Sequence, residues 1–327
     1  MKSIKNVLPC AGGGGRAEQA FTMAEILLSL TIIGVVAAIT LPSLTGNINE
    51  RTWNTQRKAL YARFSQAIAL MPALNGYGST ADNAAETFIT AGLSQVLKIN
   101  NICDSEHLED CGLPQKITPL AGSTFVFPKT LQELNSALTS VQTTDTEDSS
   151  NASLRTYSMA DTKAAAFETQ NGESIAVYYN PKCISSIYEN EQSFTQMLMC
   201  ANFIYDLNGS KGPNTVGKDI GVMTALYPTD TSVVAPDFHH SDLSGTYNWQ
   251  GAISACKNLG DEYRLPNKDE AAAMFYNRTL LGVIPQNGYW SSTVYNPTRA
   301  WVQGIRTGTR YRQLKTNTAY AVRCVKR

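Results

Sequence analysis

The sequence predicts an α+β fold: a long N-terminal helix packed on a small antiparallel sheet, followed by a second α+β unit. Three observations predict it. Residues 21–41, FTMAEILLSLTIIGVVAAITL, carry a single charge, Glu25, and the pattern beyond them turns amphipathic. Two strand-like runs flank Asn171-Gly172 in AAAFETQNGESIAVYYN (164–180), a strong hairpin signal, and MCANFIYDLNG (199–209) offers a third strand. Beyond residue 240, two helical patterns precede alternating strands punctuated by glycine turns.

The helix comes first. As a helix, residues 21–41 reach roughly 30 Å at about 1.5 Å per residue, enough to cross a bilayer, so a transmembrane segment is expected there. Lys2, Lys5 and Arg16 precede it, a polarity that keeps the start of the chain cytoplasmic. A secretory signal would place small residues after its apolar core. Here Gly12 to Gly15, Ala17 and Ala20 come before it, so a cut among them leaves the core on the mature protein. After Pro42, Leu60, Phe64, Ala67, Ile68 and Met71 fall at helical spacing, with Arg57, Lys58 and Arg63 on other faces. This predicts one helix from about 21 to 71, bent near Pro42, whose second half lies against a sheet.

AFTMAEILLSLTIIGVVAAITLP (20–42) closely resembles the start of type IV pilins and of the pseudopilins of type II secretion. The resemblance implies cleavage between Ala20 and Phe21 by a prepilin peptidase, methylation of the Phe21 amine, and Glu25 as the fifth mature residue. Ala20 stands where that family usually has Gly. In a filament the apolar helices leave the lipid and pack on each other, where an unpaired N-terminal ammonium would cost several kcal/mol. Glu25 supplies the opposite charge. The expected partners are other pilin subunits, the prepilin peptidase and, before assembly, the membrane. The expected location is a bacterial inner membrane in single-pass form, then a cell-surface or periplasmic filament.

The chain has seven cysteines. Removing the leader removes Cys10 and leaves Cys103, Cys111, Cys183, Cys200, Cys256 and Cys324, an even set that suggests three disulfides. Nearest-neighbour pairing gives Cys103–Cys111, Cys183–Cys200 and Cys256–Cys324, one of about fifteen connectivities. No C-x-x-C occurs, and His107, His239 and His240 lack zinc-ligand spacing.

Net charge is zero but unevenly spread: residues 241–327 carry 12 Lys/Arg against 5 Asp/Glu, and residues 21–240 carry 12 against 21. Residues 72–155 read as an insertion between helix and sheet, with an exposed polar stretch, TSVQTTDTEDSSNAS (139–153). GPNTVGKD (212–219) has P-loop glycine and lysine spacing, but Asp219 replaces the Ser or Thr that binds magnesium, which argues against a nucleotide site. Asp206, Asn208 and Asp219 are hard oxygen donors on a glycine-rich loop and suit calcium, which pseudopilins hold in a late head-domain loop. The other reading is a polar turn in which Asp and Asn cap their own backbone. No other cofactor is indicated.

In YNWQGAISACKNLGDEYRLPNKDEAAAMF (247–275), Asn267 caps a helix with Glu270 three residues on. RLP (264–266), YWSST (289–293), AW (300–301) and VRCV (322–325) resemble, in order and spacing, a widespread bacterial domain with a C-type lectin-like fold. That resemblance implies a disulfide between the first helix and the last strand, Cys256–Cys324. Core packing accounts for Trp249, Trp290 and Trp301. The calcium-dependent sugar motifs of the superfold, Glu-Pro-Asn or Gln-Pro-Asp with Trp-Asn-Asp, do not occur. A membrane-anchored enzyme like the formylglycine oxidase of that superfold needs a reactive cysteine pair, whereas Cys256 and Cys324 read as structural; no enzyme is expected. GIRTGTRYRQLK (304–315) reads as a hairpin with Arg310 and Arg312 on one face and Arg306 joining across the turn. Such a patch suits an acidic glycan or DNA; a solvated strand, or docking on the acidic middle of the same chain, is the alternative.

The expected organisation is therefore a leader (1–20), a long helix (21–71), an insertion (72–155), a pilin-like head (156–235) and a C-type lectin-like domain (236–327). The expected function is a minor pilin or pseudopilin-like filament subunit carrying an adhesive module, with a component of a type II secretion or DNA-uptake pseudopilus as the alternative.

Overall fold

In the computed structural model the first element is a helix, Met23–Leu70. The structure describes residues 23–71, 84–134, 140–144, 154–158, 163–179, 198–227, 233–282, 288–306 and 310–326; within these, the side chains of 25, 26, 37–49, 140–144, 154–158, 198–200, 226 and 227 are not described. The chain divides into two compact units, Met1–Arg51 and Thr52–Arg327.

The first unit is helical over its described residues. Leu27, Leu28, Leu30, Ile32, Ile33, Val35 and Val36 are all between 53% and 63% exposed, so this stretch is apolar around its whole circumference. The transmembrane expectation for 21–41 is corrected: among the described residues, no helix is long and apolar enough to cross a membrane. The single-pass inner-membrane location falls with it.

The second unit is mostly sheet. Its strands are β1 (Ile99–Cys103), β2 (Lys116–Ile117), β3 (Phe125–Val126), β4 (Ser140–Thr144), β5 (Leu154–Ser158), β6 (Ala165–Thr169), β7 (Ser174–Tyr179), β8 (Leu198–Asp206), β9 (Ile220–Tyr227), β10 (Val233–Val234), β11 (Tyr263–Arg264), β12 (Gly288–Val294), β13 (Arg299–Gly304), β14 (Arg310–Leu314) and β15 (Val325–Lys326). Six form one antiparallel sheet in the order β1-β6-β7-β8-β9-β10. β12-β13-β14 form a second sheet, and β2-β3, β4-β5 and β11-β15 are two-stranded. Asn171-Gly172 turns β6 into β7, with Gly172 at φ +84°, a conformation few side chains accept. Arg63 of the long helix reaches Glu173 at that turn.

The large sheet is covered on both faces. Phe167, Ile175, Val177, Phe203 and Met223 pack under Leu60, Phe64, Ala67, Ile68 and Met71 of the helix. The alternate residues Ala166, Ala176, Tyr178, Ile204 and Val222 face Phe127, Leu131, Phe275, Leu280, Tyr289, Ile305 and Val325. Side chains alternate along a strand, so a strand covered on both sides reads as a continuous apolar run, which SIAVYY of β7 is.

This arrangement corrects the expected fold class. The sheet is large rather than small, and the helices besides the first are short. The insertion lends it an edge strand, β1, and its polar stretch begins within a hairpin, β4–β5, rather than in loop; residues 145–153 lie outside the described residues. Residues on both sides of position 236 share one core, so the head and the C-terminal segment pack as one body within Thr52–Arg327. A satellite core of Ala252, Leu265, Trp290, Ala300, Val302 and Val322 surrounds the Cys256–Cys324 disulfide. Cys103–Cys111 closes a short loop beside β1. Such bonds persist in oxidising compartments outside the cytoplasm. Cys10 and Cys183 lie outside the described residues, as does the Cys200 side chain.

Candidate functional site

Two charged regions of the second unit stand out by what their side chains leave unpaired. The first is the loop from β8 to β9. Asp206, the last residue of β8, is fully buried. One of its carboxylate oxygens, Oδ1, accepts from the Asn208 backbone N–H at 3.0 Å, while Oδ2 is buried without a donor. Asp219, also fully buried, accepts from the backbone N–H groups of Asn214 and Thr215 at 2.8 and 2.9 Å. The Asn208 side chain donates to the Gly212 carbonyl at 2.8 Å, so its Oδ1 points elsewhere, and that oxygen and Asn214 Oδ1 are buried without donors. Burial pushes the Asp206 carboxyl up to about 7; the charge of Asp219 adds to this, and the N–H groups of Asn208 and Gly209 oppose it.

The loop thus gathers two buried carboxylates and three buried oxygens that accept nothing. No three His, Cys, Asp or Glu side chains form a metal-holding cluster among the described residues. This set consists of two carboxylates and two amides, the donor chemistry of calcium. Asn214 was not in the sequence-derived set; its only signal was its place after Gly212-Pro213, where it takes φ +52°. Arg57 of the long helix ties the loop down, donating to the Gly217 and Lys218 carbonyls at 2.7 Å each and pairing with Asp237 at 3.3 Å.

The second region is one face of β13 and β14. Their register sets Arg299 opposite Leu314, Trp301 opposite Arg312 and Gln303 opposite Arg310. Alternation then places Arg299, Trp301, Gln303, Arg310 and Arg312 on one face. Arg310 and Arg312 share that face as the sequence predicts, but not as an exposed pair. Arg310 is only 15% exposed; it faces Asp269 at 3.6 Å and donates to Gln303 Oε1 at 3.3 Å. Burial pushes its guanidinium below the usual range, against the charge of Asp269. Arg306 is exposed but lies past the last paired residue of β13, and the register does not bring it to this face.

Arg312 sits 4.3 Å over the Tyr295 ring and 5.6 Å over the Trp301 ring, and these two rings meet edge-on at 5.9 Å. The β12–β13 turn explains the placement. Asn296 Oδ1 accepts from the Thr298 and Arg299 backbone N–H groups, holding Tyr295 and Arg299 at either side of the turn. Sequence reading missed Tyr295 and Arg299; the interleaving of aromatic and basic residues in YNPTRAW (295–301) was the available signal. Trp290 is fully buried, as core packing predicts, while Trp249 donates to the Ser291 carbonyl at 2.9 Å and carries Lys315 over its ring at 4.5 Å.

Ala20 and Phe21 lie outside the described residues; Glu25 lies within the helix, but its side chain is not described. No protein-family model matches the chain, and the comparison with curated proteins found no match.

Proposed function

We propose that the chain is a filament subunit of the type IV pilin or pseudopilin class, with an anion-binding surface on its folded unit. The observation that carries this is the exposed helical stretch at residues 27–36, uncharged and with apolar side chains on every side, on a chain whose other unit is disulfide-bonded. A helix apolar on every side belongs inside an assembly. Packing against the same stretch of neighbouring copies removes that surface from water at about 25 cal/mol per Å². The loop of Asp206, Asn208, Asn214 and Asp219 holds calcium in this reading. The ion supplies the positive charge that the buried carboxylates lack, and Arg57 passes the ordered loop on to the helix.

The test is assembly in the native cell. Leu28→Glu with Ile32→Glu is expected to abolish incorporation into filaments while leaving the thermal unfolding of the Thr52–Arg327 unit unchanged. Glu25→Ala is expected to be cleaved before Phe21, as mass spectrometry reads it, and to assemble poorly. Normal assembly of the Leu28/Ile32 double variant would end the reading.

A further inference from the structure

We propose that Arg299 and Arg312, with Tyr295 and Trp301, form a binding site for an acidic polysaccharide carrying repeated carboxylates. The proposal rests on the filament-subunit reading only in placing this face outside the cytoplasm.

Arg312 carries the argument. A guanidinium stacked over two rings has lost most of its rotamer freedom before any ligand arrives. Its guanidinium donors make no hydrogen bond and no ion pair, nor do those of the Arg299 guanidinium, among the described residues. Arg310, two residues along the same strand, has both. The contrast separates an arginine that belongs to the fold from two whose guanidinium donors are unspent among the described residues. Arg299 and Arg312 are diagonal neighbours across the β13–β14 ladder, roughly 7 Å apart at Cβ, a spacing that successive charged groups of a polymer can span.

The surrounding charge points the same way. Downstream of Glu270 the chain has nine Lys/Arg and no Asp or Glu. A carboxylate meeting this face finds no fixed negative charge from β12, β13 or β14, and Asp269 is held by Arg310. Tyr295 and Leu314 are 37% and 49% exposed, and they offer apolar surface to the faces of sugar rings. Arg299, Trp301 and Arg312 are part-exposed beside the exposed Tyr295, a spread-out set that favours an extended ligand gripped at several points over a small anion.

Single-stranded nucleic acid fits less well. It binds by stacking bases on free aromatic faces. Arg312 lies over Tyr295, Lys315 lies over Trp249, and Trp290 is buried, so a base must displace a cation to stack. A carboxylate needs only the cation.

The experiment is native affinity electrophoresis of the full chain through gels containing polygalacturonate, dextran or poly(dT), at low and moderate salt. Retardation by polygalacturonate but not by dextran is expected, weakening as salt rises. Arg299→Glu with Arg312→Glu is expected to reduce the affinity at least tenfold. Arg312→Lys keeps the charge, removes the fork and is expected to lose several-fold; it decides the matter if the double reversal disturbs folding. Arg306→Glu is expected to change affinity less than twofold. Absence of retardation at low salt, or retardation that survives both the double variant and Arg312→Lys, overturns the proposal. Stronger retardation by poly(dT), lost in the same variants, overturns it in favour of nucleic acid. Filament assembly is read separately, so a chain that assembles without binding uronate refutes this site and not the subunit role.

Discussion

The Asp206 loop and the Arg312 face both hold charge that the protein does not neutralise, and they do so in opposite ways. In the loop the charges are fully buried, and the backbone N–H groups of Asn208, Asn214 and Thr215 orient them. On the sheet the charges are partly exposed, and rings orient them. A buried carboxylate without a partner costs folding free energy, so its missing partner must arrive with, or soon after, the fold. A partly exposed guanidinium costs less, because water solvates it until a ligand comes. Burial thus separates a site that bears on stability from one that bears on recognition.

The comparison breaks most easily at the loop. Asp219→Ala leaves the Asn214 and Thr215 N–H groups without their acceptor and is expected to cost about 3–5 kcal/mol in denaturant unfolding. Calcium at a hundred times its Kd is expected to add about 2.7 kcal/mol. Its pH dependence sharpens the point. The folded-state pKa of Asp206, about 7, exceeds its ordinary value of 3.8. The folded chain therefore holds that proton more tightly than the unfolded one. Without calcium, this group's contribution is complete below 3.8 and is lost as pH rises through about 7. Calcium needs the ionised carboxylate, so its added stability grows over the same interval. Thermal unfolding from pH 5 to 8, with calcium and with chelator, is expected to show two curves that diverge as pH rises; parallel curves would remove the ion from the loop. Next in size is Arg310→Ala, expected to cost about 2 kcal/mol by leaving Asp269 unpaired. Smallest is Arg312→Ala, expected to stay within about 1 kcal/mol, as a recognition residue should.

Local chemistry was legible in the sequence where neighbours in the chain are neighbours in space. The Asn171-Gly172 hairpin, the Asn267–Glu270 capping box, the Cys103–Cys111 bridge and the helix face of Leu60 to Met71 are all within a few turns or residues of each other, and each is present. Cys256–Cys324 spans 68 residues and was reached through order and spacing of motifs. The rest depended on distant pairings. Nothing in RYRQL announces that Arg310 meets Asp269, because the pairing of β13 with β14 and the packing of the helix Lys268–Tyr276 bring the two together. Nothing in INNIC marks β1 as an edge of the main sheet, since its outward residues are polar and its partner, β6, is more than sixty residues downstream. What covers the main sheet was hidden for the same reason: continuous apolar strands signal two covered faces, but the sequence does not say which segment covers the second.

That second face has a consequence in time. Synthesis proceeds from the N-terminus, so the six strands of the main sheet are complete once Val234 has emerged. Of the residues that cover the inner face, Phe127 and Leu131 are already present, while Phe275, Leu280, Tyr289, Ile305 and Val325 follow by roughly 40 to 90 residues, or several seconds of elongation. For that interval Ala166, Ala176, Tyr178, Ile204 and Val222 form an apolar platform only partly covered, by Phe127 and Leu131, and open to other chains in the same state. A chain bound for an oxidising compartment must cross this interval shielded or unfolded, and Cys256–Cys324, whose second thiol arrives with the last covering strand, is the bond whose closure marks its end.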